Sequence, residues 1–290
     1  MGKISILWDI ASDQGTLAAA GSDPAEWVES GGLSVQNLRT DDVQAFARYL
    51  DIGSSTARLV VDMGRPRPVS GFAIINHNAA TTGIWQPGLS NNADLSSPLY
   101  LPDALPFWEP TVVWGSVPFG AFPFDLVDKD TFPGVPIAYH LASETHFPRY
   151  LWVDIEDPDN EAGYWQGARL LAGQAYTPPW NFSYGASVRP VDPSEVRRTR
   201  GGRRMVRRLP KYRQWRITLE HQTEEAAIGV YHDLMWRLGK SGDMLLVWDP
   251  DKDAALRNRL TLYCALVDTT EITLTSHNRW SWSFDVEEII

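Results

Sequence analysis

Cysteine is nearly absent: Cys264 is the single one in 290 residues, which rules out an intrachain disulfide and any zinc site built on cysteine pairs. In "LTLYCAL" it reads as a small apolar member of a buried strand. Long apolar runs are missing too. No stretch approaches the ~18 residues that cross a bilayer, and "MGKISILWDIAS" is too short, and too interrupted by Asp9, for a secretory leader. The expectation is a soluble protein made in the cytoplasm, with no membrane partner. Reactive signatures are also lacking: there is no G-x-S-x-G, no H-E-x-x-H and no glycine-rich phosphate loop. The sequence therefore predicts no enzyme, no catalytic residue and no cofactor.

What is abundant is turn formers, aromatics and unevenly placed charge. The chain holds 20 prolines, 22 glycines and 13 tryptophans, a composition suited to many short strands joined by turns. Its length predicts about two domains, on a rule of roughly 100–200 residues each. The fold class expected is mainly β: an N-terminal jelly-roll β-sandwich over 1–175, then a C-terminal β-sandwich or split barrel over 176–290 with one packed α-helix.

In the first part, "ARLVVDMG" and "GFAIINHN" have the length of sandwich-core strands. "RYLWVDIED" sets Leu151, Val153 and Ile155 on one face and Tyr150 and Trp152 on the other, and "GYWQGARLLAG" follows. Residues 84–136 read as large loops, because seven prolines from Pro102 to Pro136 forbid long helices and central strands. Their aromatics either cover the sandwich ends or form a rim; on the rim reading, Trp85, Trp108 and Trp114 are the candidate carbohydrate-binding loop residues.

After "TPPWNFSYG" the rhythm changes. "QWRITLE" alternates with Trp215, Ile217 and Leu219 on one side, and "RWSWSFDVEEI" does so with Trp280, Trp282, Phe284 and Val286. "MLLVWD" and "EITLT" read as further strands. Between them "TEEAAIGVYHDLMWRLGK" predicts a helix over 223–238. Thr223 caps it, Glu224 and Glu225 suit its N-terminal dipole, and Ile228, Tyr231, Leu234, Met235 and Leu238 form its apolar stripe.

Two acidic clusters offer oxygen ligands at spacings a calcium site could use: Asp154, Glu156, Asp157, Asp159 and Glu161, and Asp249, Asp251 and Asp253. The second lacks the glycine and the closing acid of a calcium loop, since Ala254 and Leu260 stand there, and both contain Asp-Pro turns. Solvated turns and no metal are expected. His77, at a strand end in "INHN", reads as a structural hydrogen-bonding residue.

The formal net charge is −10, yet "VRRTRGGRRMVRRLPKYRQWR" places ten of the 26 basic residues between Arg197 and Arg216 with no acid among them, leaving 16 against 36 acids elsewhere. Such an acidic remainder repels a polyanion, so the run does not predict sequence-specific nucleic-acid binding. Arg197, Arg198, Arg200, Arg203, Arg204, Arg207 and Arg208 predict an arm that docks on acidic neighbours through guanidinium–carboxylate pairs. Gly201 and Gly202 would turn its tip; Met205, Val206 and Leu209 would anchor it.

These stretches resemble a family. "RYLWVDIEDPDNEAGYWQGARLLAG", "PPWNFSYG", the basic "RTRGG", "YRQWRITL" and the helix beginning "TEEA" resemble distal-tail or tail-tip (baseplate) structural proteins of long-tailed, non-contractile bacteriophages and prophages. "ARLVVDMGRPRPVSGFAIINHN" is similar to the start of a galactose-binding-like, discoidin-type jelly roll. The resemblance implies a virion structural protein of the tail, assembled in the host bacterial cytoplasm. Copies would form a homo-oligomeric ring, a hexamer, joining the tail tube to the baseplate or fibre. Its partners would be tail-tube and baseplate hub proteins, with an outward jelly roll able to touch host-surface carbohydrate. The alternative class is a carbohydrate-binding module or carbohydrate-active enzyme.

Overall fold

The computed structural model describes residues 2–21, 26–111, 127 and 134–290. The chain is mainly β and divides into two compact units: Met1–Thr177 with Leu245–Thr261, and Pro178–Met244 with Leu262–Ile290.

In the first unit, the strands build two antiparallel sheets. One runs β8 (Ile137–His146), β5 (Val69–Ile75), β11 (Arg169–Tyr176), β1 (Ser5–Ile10). The other runs β7 (Leu105–Pro106), β6 (Ile84–Ser90), β9 (Tyr150–Glu156), β4 (Ala57–Asp62), β2 (Thr16–Gly21). Successive strands β4, β5, β6, β8, β9 and β11 alternate between the sheets, which is the jelly-roll pattern. A ribbon of β3 (Ala47–Tyr49) and β10 (Trp165–Gly167) flanks them. Leu59, Val61, Leu151, Val153 and Ile155 of one sheet meet Phe72, Ile74, Leu170 and Ala172 of the other in a single core.

Two sequence expectations change here. The stretch Ile84–Ser90, read as loop, is a strand paired along its whole length with β9. Pro87 is tolerated because Leu89, two residues on, sends its N–H to Tyr100 rather than to β9; the N–H that proline lacks falls on that same outer edge. The second correction concerns continuity. Residues 245–261, assigned from sequence to the C-terminal domain, belong to the first unit: in β16 (Asp243–Val247), Leu245–Val247 pair antiparallel with Ser5–Leu7 of β1.

The second unit is a sheet of β12 (Ser187–Val191), β15 (Tyr212–Gln222), β19 (Arg279–Glu288) and β17 (Thr261–Leu266). It splits at β19, whose last three residues pair β17 while its first half pairs β18 (Ile272–Ser276). Trp215, Ile217 and Leu219 of β15 are buried with Trp282, Phe284 and Val286 of β19, as the alternation predicts. Cys264 is buried in β17, and burial pushes its thiol well above the usual range.

One helix packs on this sheet. It runs as α1 (Glu224–Ala226), a π-helical segment (Ala227–His232) and α2 (Asp233–Leu238), with Thr223 Oγ1 accepting from the Ala226 N–H as the cap. Tyr231 stacks on Trp282 with ring centroids 5.0 Å apart, and its hydroxyl donates to Gln222 Oε1 at 2.9 Å. The π segment has more residues per turn than an α-helix, so the buried phase is Ala226, Ala227, Tyr231 and Leu234. Ile228, expected in the apolar stripe, is instead 44% exposed.

Candidate functional site

The basic run divides into two structural roles. Its last arginines are part of the sheet. Arg213 is buried and holds Glu288 of β19: the Arg213 backbone N–H and Nε donate to Glu288 Oε2 at 2.9 and 3.0 Å, and Nη2 to Oε1 at 2.5 Å. Arg216 makes a bidentate pair with Asp285 at 2.8 Å, which holds that carboxyl below its ordinary pKa. Neither guanidinium belongs to an arm.

The preceding residues form a hairpin. β13 (Glu195–Arg198) and β14 (Arg204–Arg207) are a two-stranded antiparallel hairpin forming a sheet of its own, with every residue exposed. The turn is closed by the Thr199 N–H donating to Arg203 O at 3.0 Å and the Gly202 N–H to Thr199 O at 2.9 Å. Gly202 sits at φ +81°, a conformation glycine adopts without steric cost. At the base, Ser194 Oγ accepts the Leu209 N–H at 3.1 Å.

Facing pairs are Glu195 with Arg207 and Arg197 with Met205 on one side of the ribbon, and Val196 with Val206 and Arg198 with Arg204 on the other. Both sides therefore mix apolar and cationic groups. Glu195, Arg197, Met205, Val206 and Arg207 line a shallow groove. Arg197 bonds Glu195 at 3.2 Å. Arg198, Arg200, Arg203, Arg204, Arg207 and Arg208 make no ion pair among the described residues. Two-stranded hairpins are marginal in water, and like charges set opposite one another, as Arg198 and Arg204 are, weaken them further.

The other sequence candidates are placed differently. Trp85 is 1% exposed in β6, packed within the sandwich core, and so offers no face for a sugar ring. Trp108 is half-buried, donating its Nε1–H to Ala79 O at 2.9 Å and packing edge-on against His77. Trp114 lies outside the described residues. A partly exposed aromatic group does occur on this unit, but on residues the sequence did not single out. Tyr100 stacks on His146 at 4.9 Å, and its hydroxyl lies 2.7 Å from His140 Nε2. Burial lowers the His140 pKa.

Several of the clustered acids take hydrogen bonds within the fold. Asp154 takes a bidentate pair from Arg58 at 2.5 and 2.6 Å. Buried Asp157 accepts the Ala80 N–H and, at 2.7 Å, Asn160 Nδ2, and Asp159 accepts from Thr82 at 3.0 Å. Asp249 Oδ1 accepts the Asp251 N–H, shaping a turn. Among the described residues no three His, Cys, Asp or Glu side chains gather as a metal site, and no helix is long and apolar enough to cross a membrane.

No family model matches the chain, and no curated protein does. Solved structures do match over part of the chain. Chitosan-binding module 1 of a chitosanase/glucanase from Paenibacillus sp. IK-5 is 11% identical, with a TM-score of 0.37, over 57% of this chain and 98% of that one. The family 32 carbohydrate-binding module of C. perfringens NanJ, in complex with galactose, is 13% identical, with a TM-score of 0.37, over 58% and 98%. A module described as CpGH89CBM32-5 from Clostridium perfringens, in complex with GalNAc-beta-1,3-galactose, is 6% identical, with a TM-score of 0.38, over 57% and 99%. Each of these matches spans somewhat more than half of this chain and nearly all of the other.

Proposed function

We propose that the chain is a non-enzymatic assembly subunit of the tail-tip kind. On this reading it is a virion tail component, built in the host cytoplasm, whose copies join into a ring, a hexamer by the resemblance, between tail tube and baseplate. The observation that carries the reading is the hairpin arm, a ribbon of exposed arginines, of which all but Arg197 make no ion pair among the described residues, set around exposed Val196, Met205 and Val206. A side chain with a fixed planar fork seeks carboxylates, and acids outnumber bases across the rest of the chain. The absence of sequence signatures for catalysis agrees with a structural role.

Sedimentation of the purified chain tests this. The wild type should form a closed multimer that dissociates as salt screens its charges. The variant carrying Arg203→Ser, Arg204→Ser, Arg207→Ser and Arg208→Ser should be monomeric with an unchanged melting temperature, since exposed charges contribute little to folding. A wild type that stays monomeric at high concentration, or a variant that assembles like it, overturns the reading.

A second reading, carbohydrate binding by the jelly-roll unit, is favoured by the partly exposed group of Tyr100, His140 and His146, which sets aromatic rings beside hydrogen-bonding atoms. The same preparations titrated calorimetrically with galactose and chitosan oligomers decide it. Heat of binding lost in Tyr100→Ala supports sugar recognition; no heat from the wild type ends it.

A further inference from the structure

The helix of the second unit carries an exposed face that its own sheet leaves uncovered. Glu224, Ile228, His232 and Trp236 follow one another at four-residue spacing, and all are exposed, Trp236 at 82%. His232 and Trp236 stack with parallel rings, centroids 6.3 Å apart at 15°. Glu225 and Asp233 flank the row, Asp233 half-exposed with its carboxylate 3.7 Å from His232 Nδ1. The π segment creates this face: it turns Ala227 and Tyr231 inward and leaves Ile228 and His232 outside.

We infer that this helix face is the receptor for the arginine arm of a second copy of the chain. The inference rests on the assembly reading above and names the surface that reading leaves open. Three properties of the face match the arm. Glu224, Glu225 and Asp233 offer carboxylates to a hairpin whose arginines have no acid of their own beyond Glu195. Ile228 gives Val196, Met205 or Val206 an apolar partner, and each of these is exposed in its own chain. Trp236 offers an open indole face, the preferred platform for a guanidinium.

The helix's cations set the orientation. Arg237 and Lys240 stand at the C-terminal end and Glu224 and Glu225 at the N-terminal end, so the most basic part of the arm is directed toward Glu224 and Glu225. Arm and receptor are different surfaces, so the contact is head-to-tail. Repeated, it generates a ring where the rotation closes and a filament where it does not; a self-complementary contact would stop at a dimer.

A charge-swap experiment on the full chain tests the inference, read by sedimentation with melting temperature as the folding control. Glu224→Arg with Glu225→Arg should weaken self-association at least about tenfold, a change of about 1.4 kcal/mol, and Trp236→Ala should weaken it similarly. Adding Arg204→Glu and Arg207→Glu to the helix variant should restore association, because both partners are then reversed. If the arm variants lose association while the helix variants keep it, the arm docks elsewhere: the inference falls and the assembly reading stands. If neither set changes association, both fall. Loss in both sets without rescue by the swap also overturns the pairing.

Discussion

The buried pair Arg213–Glu288 allows the sharpest energetic prediction. Its side chains are 10% and 2% exposed, and one carboxylate takes three hydrogen bonds from the same residue. Glu288→Gln keeps the shape and removes the charge that faces the buried Arg213 guanidinium. Breaking one side of a buried pair costs about 3–5 kcal/mol, which for a unit of about a hundred residues lowers its melting temperature by about 12 °C or more. The comparison within the same sheet is Arg216–Asp285, whose side chains are 65% and 29% exposed; Arg216→Gln should cost under about 1 kcal/mol. Replacing both buried partners, Arg213→Met with Glu288→Leu, should recover most of the loss, since an apolar pair of similar volume escapes the desolvation penalty. Calorimetric melting of the four proteins reads this directly. If Glu288→Gln costs no more than Arg216→Gln, burial is not what gives the pair its weight and the reasoning fails.

Two other perturbations are local. A methyl group added at Gly88 would stand 2.1 Å from Cζ2 of Trp152, the residue facing it on β9, so Gly88→Ala must displace the indole. A loss of about 1–3 kcal/mol with a red-shifted tryptophan emission is expected; unchanged melting would show that the indole moves freely. The second perturbation is acid. Hydrogen bonding from Arg216 lowers the folded pKa of Asp285, so its stabilisation is present above the unfolded value of about 3.9 and fades as pH falls below it toward the folded value. Asp285→Asn should therefore flatten the decline in melting temperature below about pH 4, and parallel declines in the two proteins would refute the linkage.

The sequence by itself determined whatever depends on neighbours along the chain. Alternation in "RYLWVDIED", "QWRITLE" and "RWSWSFDVEEI" marked strands and their inward faces, because side chains on a strand repeat every two residues whatever it pairs with. Thr223 marked its helix start for the same local reason, as its hydroxyl needs only the N–H three residues on. The arm was legible as a block of like charge around two glycines. Tertiary structure decided the rest. Arg213 and Arg216 read as part of that block, and only the pairing of β15 with β19 gives them Glu288 and Asp285, 75 and 69 residues away. Trp85 read as a loop aromatic, covering a sandwich end or forming a rim, whereas pairing with β9 takes its strand into the sandwich. Ile228 kept its α-helical phase on paper, while packing of Tyr231 on Trp282 accompanies a π turn that puts Ile228 outside. Each of these outcomes depends on a partner distant in sequence, and local periodicity carries no information about where that partner will lie.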